Sequence, residues 1–191
     1  PAYAELEPLV GALAEGLAPA LDGPFALFGH SVGALVGFEL ARELRRRGRP
    51  RPSHLLVSGR PAPQLPPRYG PLSQLPDGEF LEQLYRRYGY TPPEDDDQLD
   101  ELLDVMLPTI RRDVTVSDRY VYADEPPLDC PITVFGGLED ATVTRDELDA
   151  WRHQTRGRFE TRMLPGGHFY LESDRTFLVR FIADSVRTTL R

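Results

Sequence analysis

The stretch Phe25-Ala26-Leu27-Phe28-Gly29-His30-Ser31-Val32-Gly33-Ala34-Leu35 constrains this chain more than any other. An apolar run ends at Gly-x-Ser-x-Gly and an apolar helix pattern begins at once. The spacing therefore predicts strand, sharp turn and helix, with Ser31 at the apex. Such a turn holds its serine in a strained backbone conformation, and side chains at Gly29 and Gly33 are expected to collide with the neighbouring strand and helix. The following helix starts with N–H groups directed at the serine, which favours negative charge there. The same letters also fit a plain strand–helix turn with Ser31 as an N-cap, so the rest of the chain must separate the two.

Several chemistries are excluded by absence. The sequence has no lysine, so all 22 basic residues are arginine. That removes Schiff-base chemistry, a Ser-Lys dyad and a Walker lysine. There is no asparagine, which removes a Cys-His-Asn site. A net charge of −8 argues against a nucleic-acid binder, and no apolar run approaches membrane-span length. The single cysteine, Cys130, permits no internal disulfide, fits a reducing cytoplasmic setting, and precedes a buried strand, where a packed thiol is expected. The 191 residues suffice for one domain with a core.

Periodicity supplies the remaining elements. Tyr3, Leu6, Leu9, Val10, Leu13 and Leu17 predict a helix over 1–20, stopped by Asp22-Gly23-Pro24. A strand at 25–28 leads into a helix over about 32–47, ended by Gly48. Around that end lie Arg42, Arg45–Arg47, Arg49 and Arg51, read either as charge complementing the helix dipole or as a docking patch for an acidic partner. His54–Gly59 is a second, buried strand, with His54 structural at its start.

Residues 60–128 change character. Prolines crowd 61–71. Asp77 caps a helix with Phe80, Leu81, Leu84, Tyr85 and Tyr88 on its apolar side. A second helix follows the acidic run 94–97, with Leu99, Leu102, Leu103, Met106 and Ile110 on one face, and continues toward Tyr120 and Tyr122. Beyond Pro126-Pro127 come a buried strand at 131–137, a helical stretch around Leu148 and Trp151, an edge-side strand at 159–164, the loop Pro165–Phe169, and a closing helix over about 174–190 carrying Phe177, Leu178, Phe181, Ile182 and Val186.

Alternating strands and helices predict an α/β fold with a mostly parallel sheet. The expected organisation is a core formed by 1–60, a helical insertion at 61–127 placed where a lid would sit, and a second core part at 128–191. With four strands, and the Ser31 strand first among them, the sheet reads as lacking N-terminal strands that would pair beside 25–28. The start at Pro1 fits that expectation.

Three residues fall at or just after strand C-terminal ends, where open α/β sheets place ligands: Ser31, Asp140 and His168. Serine needs a base to remove its proton. His168 is the candidate base and then acid, and Asp140 the group that fixes its tautomer. Glu139 and Asp146 compete with Asp140 for that role. The backbone N–H of Val32 is the candidate oxyanion donor, with a second donor expected from a loop outside this sequence. His30 is expected to point away and pack behind the serine, and His153 to be solvated.

The order Ser, Asp, His is that of α/β-hydrolases. Gly29-His30-Ser31-Val32-Gly33-Ala34, Leu128–Asp140 with Trp151 following, and Pro165-Gly166-Gly167-His168-Phe169-Tyr170-Leu171 resemble type II thioesterases of polyketide and nonribosomal peptide assembly lines. Leu107-Pro108 and the Arg112-Asp113 to Tyr120 stretch are similar to that family's lid helices. The resemblance implies hydrolysis of acyl groups from the phosphopantetheine arm of an acyl or peptidyl carrier protein. It also implies a lid, no cofactor of the enzyme's own, and editing of stalled units. Val32 stands where the family often has methionine, a tolerable change because only the N–H is used. Two other readings stay open: a different esterase or thioesterase on this fold, including a synthase-terminating domain, and an inactive interaction protein.

Overall fold

The computed structural model describes residues 3–89, 97–173 and 175–189. In chain order it forms α1 (Leu6–Gly16), β1 (Ala26–His30), α2 (Val32–Arg46), β2 (His54–Ser58), α3 (Asp77–Tyr88) and α4 (Asp97–Arg119). There follow β3 (Ile132–Gly137), α5 (Arg145–Asp149), β4 (Phe159–Leu164), α6 (Tyr170–Ser173) and α7 (Arg175–Thr189), with 3-10 turns at Ala18–Ala20 and Ala150–Gln154. The acidic residues at 94–96 lie outside the described residues, as do the side chains of Leu99, Leu102, Leu103, Phe177 and Val186.

The four strands make one parallel sheet in the order β1-β2-β3-β4. β2 and β3 are buried along their whole length, which is why they read as unbroken apolar runs rather than alternating ones. Alternate residues serve opposite faces. Leu55, Val57 and Val134 meet Ala34, Phe38, Leu148 and Trp151 on one side. Leu56 and Phe135 meet Leu164, Tyr170 and Leu178 on the other, with Phe181 and Ile182 against them. Among the described residues β4 pairs with β3 alone, as its alternating pattern suggests. β1 occupies the opposite edge of the described sheet, where Phe28 is 41% exposed.

Between β2 and β3 the described chain carries α3 and α4 joined to the sheet by irregular segments, without strands. Asp77 does not cap α3: the N-cap is Pro76, and the Asp77 carboxylate instead accepts a hydrogen bond from Arg111 on α4 at 2.6 Å. α4 contains Pro108 and docks through Val116, which is buried among Leu6, Val10, Leu35, Leu40 and Leu44. Met106, expected on the apolar face, is 45% exposed.

Of the arginines around the end of α2, Arg45 and Arg46 lie in the helix's last turn, where a cation complements the dipole, and with Arg42 and Arg47 they also form an ion-pair network. Arg45 and Arg46 bind Glu125 at 2.9 and 2.6 Å, and Arg46 and Arg47 bind Glu43. Arg42, 2% exposed, holds Glu39 at 2.8 Å, Glu125 at 2.7 Å and the Ala123 carbonyl at 2.6 Å. These contacts tie α2 to the segment that brings the chain from α4 back to β3. Among the described residues no helix is long and apolar enough to cross a membrane.

Candidate active site

Parallel strands place the residues following β1, β2, β3 and β4 on one rim of the sheet. Ser31 sits there with φ 53° and ψ −117°, the one non-glycine residue of positive φ among those described. A backbone of this kind stores roughly 1–3 kcal/mol and persists only where its surroundings fix it. Here its N–H donates to the Ser58 carbonyl at 2.8 Å, and its carbonyl accepts from the Ala34 N–H at 3.1 Å. Gly29 permits the turn, because a Cβ there would lie 2.0 Å from the Gly33 carbonyl oxygen. Gly33 itself has no neighbour within 4 Å of a would-be Cβ, so the collision expected there does not arise. Val32 begins α2, where the backbone N–H has no intrahelical partner and is available to a ligand.

His168 and Asp140 are brought together. The imidazole Nδ1 lies 2.8 Å from Asp140 Oδ2, with the two side chains 3% and 0% exposed. Thr142 completes the pair. Its N–H and hydroxyl both donate to Asp140 Oδ1, at 2.8 and 2.6 Å, and its Oγ1 lies 3.1 Å from His168 Nδ1. Burial opposes charge on Asp140, but the hydrogen bonds from His168 and Thr142 outweigh it and hold the carboxyl below its ordinary value. A carboxylate on Nδ1 fixes the proton there and leaves Nε2 as the basic nitrogen. The competitors are elsewhere: Glu139 and Asp146 are exposed.

Ser31 and His168 line the same cleft of about 600 Å³, together with the irregular stretch 59–69 and residues of α3 and α4. No direct hydrogen bond joins them in this structure. Tyr88, at the end of α3, stands against both: its ring centroid is 4.6 Å from that of His168, and its hydroxyl interacts with Ser31. Burial raises the Tyr88 phenol above its ordinary value, with Arg60, Arg87 and Ser31 pulling the other way.

His30 does not point away. Its ring lies 4.7 Å from that of His168, and its Nδ1 is 2.8 Å from Ser58 Oγ, which in turn hydrogen-bonds the Tyr170 hydroxyl. Burial and the neighbouring His168 lower its pKa to about 4 against the pull of Asp140, so it is a neutral wall. Gly59, at φ 59°, makes room for both rings: a Cβ there would lie 2.7 Å from His30 Cε1 and 3.2 Å from His168 Cε1. The other two histidines stay apart from the site. His54 is buried against Thr133 at 2.9 Å, and His153 is exposed. Cys130 is half-buried, with burial pushing its thiol up to about 11.

The sequence reading missed Tyr88, Thr142, Ser58 and Tyr170 as site residues. Thr142 had a local signal, two residues beyond Asp140 in an Asx-type turn. Tyr88 had none, because its helix stripe is indistinguishable from core packing.

A strained serine turn on the first strand and a buried Asp-His pair from later strands, on one rim of a parallel sheet, define an α/β-hydrolase fold. The thioesterase-domain family model matches residues 1–186. The linear gramicidin dehydrogenase LgrE of Brevibacillus parabrevis is 42% identical over 192 residues, covering 100% of this chain and 73% of that protein. The gramicidin S biosynthesis protein GrsT of Aneurinibacillus migulanus is 40% identical, covering 97% of this chain and 72% of its own length. Among solved structures, the RedJ thioesterase of the prodiginine pathway in Streptomyces coelicolor superposes with a TM-score of 0.85 at 41% identity, over 94% of this chain and 68% of that one. The type II thioesterase BorB of the borrelidin cluster gives 0.82 at 35%, over 96% and 71%. The chain belongs to the thioesterase family.

Proposed function

We infer that this chain hydrolyses acyl thioesters carried on the phosphopantetheine arm of acyl or peptidyl carrier proteins, and so clears stalled or aberrant units from an assembly line in the cytoplasm. The observation that carries the reading is the buried Asp140–His168 pair facing the same cleft as the strained Ser31. In this mechanism His168 Nε2 takes the Ser31 proton as Oγ attacks the thioester carbonyl. The resulting oxyanion is held by the Val32 N–H and a second donor. The tetrahedral intermediate collapses, the C–S bond breaks, and His168 returns the proton to the departing thiolate. Water, deprotonated by His168, then releases the acid from the acyl-serine. Tyr88 must shift to admit the acyl arm, and catalytic hydrogen bonds commonly tighten only in the substrate complex. The segment 61–127, read as a lid, would close over the chain once seated.

The relative named a dehydrogenase does not redirect this reading. A nucleotide-binding turn would carry Gly-x-Gly-x-x-Gly after β1, and this chain has Gly29-His30-Ser31-Val32-Gly33 there. A second reading, a terminating domain within a larger synthase, is favoured by one observation: 35% identity to a segment amounting to 8% of the AMB antimetabolite synthetase AmbE. A carrier domain immediately upstream would select it.

The deciding assay incubates the protein with acyl-loaded carrier protein and follows free carrier thiol, with the acyl-enzyme sought by mass spectrometry on Ser31. Release that does not exceed a Ser31→Ala control would remove both hydrolase readings and leave the interaction-protein alternative.

A further inference from the structure

The cleft that holds Ser31 and His168 is opposite in charge to the chain around it. Its wall carries three arginines, Arg60, Arg68 and Arg87, against one carboxylate, Asp118, while the whole chain has a net charge of −8. Two of the three gather on one aromatic ring. The guanidinium carbon of Arg87 lies 4.6 Å from the ring centroid of Tyr69, and that of Arg68 lies 5.8 Å from it. Tyr69 is tied to the rim that bears Asp140, because its hydroxyl donates to the carbonyl of the next residue, Ala141, at 2.9 Å. Arg87 immediately precedes Tyr88, whose ring centroid is 4.6 Å from that of His168. The cluster stands at the open side of the cleft, with Tyr69 41% exposed and the Arg68 side chain 43% exposed.

Neither cation is fully used. Arg68 makes no hydrogen bond among the described residues, and its ion pair with Glu147 Oε2 is 3.5 Å long, beyond the ordinary N–H···O range. That oxygen is already taken by the N–H and hydroxyl of Thr144, at 2.7 and 3.0 Å, in the cap of α5. Arg87 donates from Nη2 to the Gly70 carbonyl at 3.1 Å, and among the described residues no carboxylate lies within ion-pair distance of it. A guanidinium offers five N–H donors, so most of those on the pair stay open. Two like charges beside one ring repel, and an anion that meets both removes that cost while using the spare donors. Stacking on Tyr69 orients both planar groups beforehand, which lowers the entropy cost of binding.

We propose that Arg68 and Arg87 form a binding site for a phosphodiester, the one that joins the phosphopantetheine arm to its carrier protein. The proposal rests on the thioesterase reading of Ser31. In that reading the thioester carbonyl sits at Ser31, and the phosphodiester is the arm's own negative charge, at its opposite end. It therefore lies where the arm leaves the cleft, which is where the exposed pair stands. A phosphodiester presents two unsubstituted oxygens and one negative charge, which suit the forked donors of arginine. The arm is the same whatever acyl group it bears. This site thus grips any carrier-bound unit without regard to that group, as the clearing of varied aberrant units requires.

The test measures binding, so it does not depend on turnover. The Ser31→Ala protein is titrated by calorimetry with two propionyl-pantetheine analogues bearing an amide in place of the thioester. One ends in the free 4′-hydroxyl and the other in a methyl phosphodiester at that oxygen. The diester is expected to bind about 5- to 10-fold tighter at low salt, with the ratio shrinking as salt is raised. Arg68→Gln and Arg87→Gln should each lower the ratio, and together they should bring the two affinities level. Arg87→Lys, which keeps the charge but loses the fork, should retain part of the ratio. Should the double variant fail to fold, the exposed Arg68 decides through Arg68→Gln alone, where an unchanged ratio overturns the proposal. Equal affinities in Ser31→Ala, or a ratio that survives the double variant, would overturn it as well. A carrier protein lacking its arm separates the other source of negative charge, carboxylates on the carrier surface. If its binding weakens with the two substitutions while the diester has no advantage, the pair meets that surface and the phosphodiester site is wrong. Carrier-thiol release no greater than the Ser31→Ala control would sink the thioesterase reading without altering this ratio.

Discussion

His168 Nδ1 stands 2.8 Å from Asp140 Oδ2, with Thr142 Oγ1 3.1 Å from the same nitrogen and donating to the other carboxylate oxygen. The imidazole is thus oriented by a carboxylate that is itself held in place, with Nε2 left as its basic nitrogen. Asp140→Asn keeps the shape but lets the amide donate to Nδ1, which favours the wrong tautomer. The expected result is a fall in kcat of roughly 10³–10⁴-fold with KM little changed. Thr142→Val leaves Asp140 in place with fewer hydrogen bonds, so a smaller loss, roughly 10-fold, is expected. Steady-state kinetics on an acyl thioester checks both, and an Asp140→Asn variant with near-normal kcat would remove Asp140 from the mechanism.

Gly59 is where two histidine rings and a left-handed backbone coincide. Alanine there meets φ 59° and a contact of 2.7 Å with His30 Cε1. The backbone strain alone costs on the order of 1–2 kcal/mol, and the two rings must also give way, which displaces His30 and His168. Gly59→Ala is expected to lower stability by about 2–3 kcal/mol and to slow fluorophosphonate labelling of Ser31 at least 10-fold. Denaturant midpoints and labelling rates read the two effects separately. Unchanged labelling would mean the His30–His168 spacing is not needed.

How much of this was legible beforehand follows from how local each signal is. The Ser31 turn is encoded by contiguous residues, and β2 and β3 by unbroken apolar runs, so elements and order could be read directly. Asp140 and His168 were legible because chain order and strand ends together restrict the candidates. Asp77 was misread as a cap because its partner, Arg111, comes from another helix. The arginines at the end of α2 read as a dipole complement or a docking patch, and of their partners Glu39 and Glu43 lie on the same helix while Glu125 is about 80 residues away in sequence. His30 was expected to turn from the site, but the Ser58 and Tyr170 hydroxyls that hold it arrive from β2 and α6. What the sequence hid, in each case, is a partner brought in by tertiary packing.

His30 should leave a signature in the pH dependence of stability. Its folded pKa is lowered to about 4 from 6.5. Between those values the unfolded chain binds a proton that the folded chain does not, so stability falls as pH drops through that window and this contribution levels off below it. The full shift corresponds to at most roughly 3.5 kcal/mol. Asp140 acts at lower pH: its depressed pKa contributes stability above the ordinary carboxylate value, lost as pH falls through the folded one. Urea midpoints at pH 7 and pH 5 should therefore differ less in His30→Gln than in the unaltered chain. Parallel curves would show that His30 is not the titrating group.

Arg42 is the buried cation of the network that ties α2 to the segment returning from α4. Arg42 is 2% exposed and Glu39 is largely buried beside it, so removing the guanidinium leaves Glu39 with little water to compensate its charge, whereas Glu125 keeps part of its surface in solvent. Burial opposes charge on Glu125, but Arg42, Arg45 and Arg46 overcome it and hold its carboxyl down to about 2. Arg42→Ala leaves Glu39 near its remaining partners, Tyr120 and the more distant Arg46, and strips the Ala123 carbonyl of its donor. Breaking one side of a buried pair typically costs about 3–5 kcal/mol, because the surviving charge is stranded. Arg42→Met together with Glu39→Gln removes opposite charges at once and is expected to cost less than Arg42→Ala alone. Tyr120 and Tyr122 line the Ser31 cleft and flank this network, so the same single variant should also raise KM for acyl carrier protein. Denaturant titration of the two variants gives the comparison. If the double variant is no more stable than the single one, the network acts through packing rather than charge compensation.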